Sequence, residues 1–132
     1  MGRQNQEPVA DKPKPRDIKE RTFEFALGVV RLCRAIETRP GVARTVSQQL
    51  LRAGTSIGAN VEEAQAGQSR ADFISKYAVA LRETRETIYW LRLLDAAGVC
   101  LDGKFGQLVS EADEIAKIVG TIILKTKSRG GK

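Results

Sequence analysis

The segment LLRAGTSIGANVEEA, from Leu50 to Ala64, combines a helical apolar pattern with small residues on almost every side. A glycine in a helix interior costs about 1 kcal/mol relative to alanine, so Gly54 and Gly58 require a compensating close contact. A helix that is small on several sides is packed on several sides. We therefore predict a central helix that packs against other helices of its own chain and against another subunit. At 100° per residue its apolar stripe comprises Leu50, Ala53, Gly54, Ile57, Val61 and Ala64.

The segment does not fit a membrane dimer or a phosphate-binding loop. Gly-x-x-x-Gly spacing is typical of membrane dimers only inside a long apolar run, and the charges of Arg52 and Glu62 exclude one here. A phosphate-binding loop needs a lysine after a glycine-rich turn that follows a strand, and this pattern is absent from the sequence. Asn60, beside the stripe, either fixes register or oligomeric state or is an ordinary hydrogen-bonded polar group.

Length and composition predict one globular domain with a basic surface. The chain has 132 residues, 42% hydrophobic and 29% charged, which is enough for a real core. A net charge of +6 and a pI near 9.6 favour an acidic partner such as RNA or DNA. Aromatic residues make up only 5% of the chain, which weakens the case for a base-stacking surface.

The residue inventory argues against an enzyme. The sequence has no histidine, which removes the commonest general base and metal ligand. The two cysteines, Cys33 and Cys100, match no zinc or redox spacing, and Cys33 falls on an apolar face as a small buried hydrophobe would. We predict no catalytic residue, no metal and no cofactor. The sequence also has no signal peptide or membrane span, so the expected location is the cytoplasm.

Helical periodicity predicts an all-α fold of four helices, at about residues 17–38, 42–66, 70–97 and 103–126. Short turns between them are typical of an up-down-up-down four-helix bundle. Residues 1–16 are predicted to be a disordered leader and residues 127–132 a flexible basic tail. The core stripe of the third helix is predicted to comprise Phe73, Tyr77, Ala80, Leu81, Thr84, Ile88 and Leu91.

Two helices carry more apolar residues than one core needs. The first helix has a second apolar line at Phe23, Leu27 and Val30, and the third has one at Val79, Trp90 and Leu93. An apolar strip containing an exposed tryptophan is more often an interface than a solvent-facing surface. The chain is therefore predicted to form a closed homo-oligomer. Its packing and oligomer contacts are assigned to Gly54, Gly58, Asn60, Val79, Trp90 and Leu93.

The residues predicted to bind nucleic acid are basic residues of the second and third helices and of the C-terminal end of the chain. Contacts of this kind are mostly to phosphate and are strongly salt-dependent. Each residue is open to the alternative of an ordinary solvated charge, and Arg82, Glu83, Arg85 and Glu86 also fit a salt-bridged face. The predicted set is Arg44, Arg52, Arg82, Arg85, Lys125, Lys127 and Arg129.

A resemblance extends this interpretation. The segment Gln49–Leu94, QLLRAGTSIGANVEEAQAGQSRADFISKYAVALRETRETIYWLRLL, is similar to the signature of a family of bacterial four-helix-bundle proteins. That family includes proteins encoded in intervening sequences of large-subunit ribosomal RNA genes. It also includes the accessory variability determinant of diversity-generating retroelements. The resemblance spans about residues 17–126, and its most specific parts are residues 52–60 and Tyr89-Trp90-Leu91.

The resemblance implies a homopentamer shaped as a tapered barrel with a basic surface. For the retroelement branch it also implies binding of RNA or DNA and partnership with a reverse transcriptase. The first hypothesis is accordingly a non-enzymatic, oligomeric nucleic-acid-binding accessory protein of a reverse transcriptase. The alternative is a protein of the ribosomal intervening-sequence branch that acts as a structural or protein-interaction oligomer.

Overall fold

The computed structural model describes residues 17–38, 41–67, 69–99 and 103–130. These residues form four helices and no strand: α1 (Ile18–Glu37), α2 (Val42–Gln65), α3 (Arg70–Ala96) and α4 (Lys104–Gly130). The all-α class predicted from the sequence is confirmed. The predicted leader, residues 1–16, and the last two tail residues lie outside the described residues.

The predicted end of the fourth helix at residue 126 needs correction. Helix α4 continues to Gly130 and so includes residues that the sequence assigned to a flexible tail. No glycine or proline interrupts the chain between Gly120 and Gly130. Lys127 and Arg129 lie in the last turn, where positive charge is favoured by the helix dipole.

The four helices form a closed ring around one core. Each helix contacts its neighbours in the chain, and α1 also contacts α4. Lys19, at the start of α1, forms an ion pair with Glu62, near the end of α2, while Cys33, late in α1, donates to the carbonyl of Ser47. Residue numbers therefore rise along α1 as they fall along α2.

A bidentate ion pair joins α1 to α4. Arg21 Nε lies 2.6 Å from Glu111 Oε2, and Arg21 Nη2 lies 3.1 Å from Glu111 Oε1. Paired contacts of this geometry are stronger and more directional than single ones. The pair is partly buried and holds α1 beside α4 where the ring closes.

The core is apolar and draws on all four helices. The predicted stripe of α2 is buried along its whole length. On α3 the buried line lies slightly rotated from the prediction, because Thr87 and Leu94 are buried while Phe73, Leu81 and Ile88 are only half-buried. Burial of Thr87 is possible because its hydroxyl donates to the carbonyl of Glu83 at 2.7 Å.

The two glycines of α2 mark the closest approach of α1. A Cβ placed on Gly54 would lie 2.9 Å from Cγ1 of Val29, a fully buried side chain that would have to shift. A Cβ on Gly58 would lie 3.3 Å from Oγ1 of Thr22 and 3.4 Å from its carbonyl oxygen. The contact that compensates for these glycines is therefore with α1 of the same chain.

Helix α3 begins and ends close to the residues that the sequence predicts. Ser69 caps the helix, its hydroxyl oxygen accepting the backbone N–H of Asp72 at 3.0 Å. Gly98 follows the helix with φ of 74°, a backbone conformation that glycine adopts without strain. Both ends of the longest predicted helix are thus set by short-range chemistry.

We expect Gly54→Ala to lower the free energy of unfolding by about 1 kcal/mol, because overpacking against Val29 outweighs the gain in helix propensity. Gly120→Ala is the matched control, since no atom lies within 4 Å of a Cβ at that position. The control should raise the free energy of unfolding by about 1 kcal/mol. Urea unfolding at fixed protein concentration measures both, and stabilisation by Gly54→Ala would contradict the tight contact.

Candidate nucleic-acid interface

Arg52, a predicted phosphate ligand, is held by two carboxylates of α3. Its Nη1 donates to Glu83 Oε1 at 3.3 Å, and its Nη2 donates to Glu86 Oε2. The Glu83 side chain is only 13% exposed, and Arg52 is its ion-pair partner among the described residues. Arg52 therefore connects α2 to α3, and much of its charge is already neutralised within the chain.

The same network positions the single tryptophan. Trp90 Nε1 donates to Glu86 Oε2 at 3.0 Å, so Glu86 joins the indole to Arg52. Tyr89 packs edge-on against Trp90 with ring centroids 5.1 Å apart. Trp90 is half-buried instead of exposed as predicted, whereas Tyr89 is 57% exposed.

The other predicted cations are exposed. Within the part of the chain that the structure describes, none of them forms an ion pair within 4 Å. Their charges therefore face solvent and are available to an external anion, unlike that of Arg52. These residues are Arg44, Arg82, Arg85, Lys125, Lys127 and Arg129.

The structure places these six cations in three groups. Arg82 and Arg85 lie on the outer face of α3, and Arg44 lies in the first turn of α2. The remaining three occupy the end of α4, where Lys127 and Arg70 line the same shallow hollow. The basic surface is thus spread over several helices and includes Arg70, which sequence reasoning missed.

Sequence reasoning also missed two residues on the outer face of α3. Tyr89 and Arg92 are exposed and follow Arg82 and Arg85 at helical spacing of three and four residues. We call these four residues the α3 basic face. The spacing was visible in the sequence, but the glutamates between the arginines suggested a salt-bridged surface. In the structure those glutamates turn towards α2 and bind Arg52.

The predicted second apolar line of α1 remains uncovered. Phe23 is 66% exposed and Leu27 is 37% exposed, while Val30 is half-buried. Phe23 lies over a hollow between α1 and α2 of about 270 Å³. The hollow is lined by Lys19, Phe23, Ala26, Thr55, Gly58, Ala59 and Glu62.

The residues assigned to packing or oligomer contacts have different surroundings. Gly54 and Gly58 pack against α1, as described above. Asn60 donates from Nδ2 to the carbonyl of Ser56 at 2.8 Å, so its donor is satisfied within α2. On α3, Val79 is half-buried and Leu93 is 40% exposed.

Chemical groups suited to catalysis or metal binding are few. The described residues contain no cluster of three or more histidine, cysteine, aspartate or glutamate side chains that could hold a metal ion. Cys33 is buried as predicted, and burial, followed by the charge of Glu37, raises the pKa of its thiol to about 11. None of the described helices is long and apolar enough to cross a bilayer.

Comparison with known proteins links the chain to one family. The model of the 23S rRNA-intervening sequence protein family matches residues 14–121. A crystal structure from Bacteroides thetaiotaomicron, described as a protein of unknown function from the S23 ribosomal protein family, shares 39% sequence identity. Its alignment covers 81% of this chain and 98% of that chain, with a TM-score of 0.75. Among curated proteins, none is significantly similar.

We expect Arg52→Met to lower the free energy of unfolding by about 1 kcal/mol, because Glu83 and Glu86 would repel each other without a shared partner. Arg85→Met, on the same pair of helices but without an ion pair among the described residues, is the control and should change it by less than about 0.5 kcal/mol. Urea unfolding would measure both variants. Equal effects would mean that the Arg52 network contributes nothing beyond a surface charge.

Proposed function

The chain belongs to the 23S rRNA-intervening sequence protein family, and we propose that it acts as a non-enzymatic, oligomeric nucleic-acid-binding protein. The observation that supports this most directly is the set of exposed cations without an ion pair in the described part of the chain. A surface of this kind attracts a polyanion and binds it mainly through phosphate contacts.

The end of α4 is the strongest part of this surface. Glu114 is the last acidic residue of the sequence and forms an ion pair with Lys117 at 3.7 Å. Beyond this pair α4 contains no acidic residue, and Lys125, Lys127 and Arg129 lie exposed in its final turns. A phosphate backbone approaching the last turns of α4 meets three exposed basic side chains of that helix.

We also propose a helix topology and an oligomeric state for the protein. Opposite residue order in the α1–α2 contacts supports an up-down-up-down topology, and the uncovered line at Phe23 and Leu27 supports a homo-oligomer, with a homopentamer as the expected form. A reverse transcriptase of a diversity-generating retroelement is the expected protein partner. A reverse transcriptase gene and paired template and variable repeats beside the gene would support that partnership, whereas an enclosing ribosomal RNA gene would favour the other branch.

A second candidate is a structural or protein-interaction oligomer without nucleic-acid binding. The observation that favours it is the exposure of Phe23 over an apolar hollow, which a nucleic acid would not cover well. In this case the positive charge would serve solubility alone. Salt-dependent binding separates the two candidates.

We expect replacement of Lys125, Lys127 and Arg129 by glutamine to weaken binding of a labelled RNA hairpin and of a DNA duplex. Loss of three phosphate contacts should also reduce the slope of log K against log salt by up to about 3 on the duplex. Fluorescence anisotropy across a salt series, at known native mass, measures both quantities.

The comparison variant replaces Lys19, Arg31 and Arg34 of α1 by glutamine, which removes the same formal charge from another helix, although Lys19 is paired with Glu62. This control should change the slope by less than the α4 variant does. Equal slopes in the two variants would refute a specific role for the end of α4. Absence of binding by the wild-type protein at low salt would refute the proposed function and leave the second candidate.

We expect the wild-type protein to be oligomeric in solution, because the exposed apolar residues Phe23 and Leu27 of α1 gain from burial between subunits. Phe23→Ser with Leu27→Ser should lower the native mass, and so should Trp90→Ala if the α3 strip is also an interface. Light scattering after size exclusion measures the mass. Val42→Ser is the control, since Val42 is 78% exposed in the first turn of α2 and belongs to neither strip. A monomeric wild type, or a mass unaltered in both strip variants, would refute the predicted interfaces.

A further inference from the structure

We infer that the α3 basic face, comprising Arg82, Arg85, Tyr89 and Arg92, binds single-stranded nucleic acid by stacking an unpaired base on Tyr89. This inference rests on the proposed function and specifies which form of nucleic acid the protein binds. Neither Tyr89 nor Arg92 was among the predicted ligands.

The four side chains form one line on the solvent side of α3. They lie at positions i, i+3, i+7 and i+10, which keeps them on one helical face, and all four are exposed. At 1.5 Å per residue, Arg82 and Arg92 are about 15 Å apart along the helix axis. The arginines therefore flank the tyrosine on both sides, as phosphates flank a base in a nucleic-acid strand.

No described residue cancels the charge of this face. In the described residues, Arg82, Arg85 and Arg92 have no ion pair within 4 Å. The nearest glutamates in sequence, Glu83 and Glu86, are bound to Arg52 on the α2 side of the helix. Arg52 thus acts as a positioning residue, because it draws the acids away and leaves a line of positive charge.

The tyrosine ring is both exposed and supported. Tyr89 is 57% exposed and packs edge-on against Trp90, whose Nε1 donates to Glu86 at 3.0 Å. Glu86 is itself fixed by Arg52, so the aromatic pair is held by a network that joins two helices. A supported ring loses little conformational freedom when a base stacks on it.

Stacking selects a single strand over a duplex. Paired bases are already stacked on their neighbours, whereas an unpaired base offers a free face to an aromatic side chain. Arginines beside the ring bind the backbone of either form, so they supply affinity without that preference. Discrimination between the two forms therefore depends on Tyr89.

Three labelled probes test the inference: an oligothymidylate, a DNA duplex of equal length, and inorganic polyphosphate, which has charge but no bases. Tyr89→Leu should weaken oligothymidylate binding by about 5- to 100-fold, since stacking on an aromatic residue is lost. It should leave duplex and polyphosphate binding unchanged. Tyr89→Phe keeps the ring and is the matched control, with affinities close to wild type.

Two further measurements test the arginines and the location of the base. Replacing Arg82, Arg85 and Arg92 by glutamine should reduce the salt slope on oligothymidylate by about 2, at about 0.7 per lost contact. Trp90 is the only tryptophan of the chain, and its ring centroid lies 5.1 Å from that of Tyr89. Oligothymidylate should therefore alter the tryptophan emission, and polyphosphate should not.

The outcomes separate this inference from the proposed function. If wild-type protein binds none of the three probes at low salt, the proposed function fails and this inference fails with it. If duplex and polyphosphate bind but Tyr89→Leu leaves oligothymidylate binding unchanged, only the stacking site is refuted. An unchanged salt slope in the arginine variant also refutes the site, provided that native mass and helical content match the wild type.

Discussion

The close approach of α1 to α2 is the contact on which the rest of the bundle depends. Val29 and Thr22 lie against α2 at Gly54 and Gly58, the two positions where that surface has no Cβ. This brings two helices close enough for their stripes to be buried along their length, at the expense of helix propensity in α2. The ring then closes through α3 and α4, with Arg21 and Glu111 joining the ends.

A second interaction determines how the surface charge is used. Arg52 binds Glu83 and Glu86. The charges of these three side chains are therefore paired with one another across α2 and α3. The outer face of α3 is left with arginines and Tyr89, while Trp90 is anchored on the inner side of the network. One ion-pair network thus contributes to helix packing and also separates positive charge from negative charge on the surface.

Basic and apolar surfaces are divided among the helices. Exposed cations dominate the outer face of α3 and the end of α4, while the largest exposed aromatic residue of α1, Phe23, lies over the hollow beside α2. Charged surfaces attract polyanions and apolar ones favour association with another protein surface. This division supports an oligomer that buries its α1 strip and presents its basic helices to a nucleic acid.

The sequence by itself determined the helix pattern, because local periodicity and end signals are short-range properties. The stripe from Leu50 to Ala64, the cap at Ser69 and the stop at Gly98 could all be predicted, and so could the family from the segment Gln49–Leu94. Only the tertiary structure decided which side chain packs against Gly54, which carboxylates bind Arg52 and which residues support the ring of Tyr89. Arg52 binds Glu83, 31 positions further along the chain, and this bond belongs to the network that supports Tyr89. Val29 lies closer in sequence to Gly54 but on another helix. Periodicity shows which face a residue occupies, but only packing decides which partner that face meets, and therefore which charges remain free.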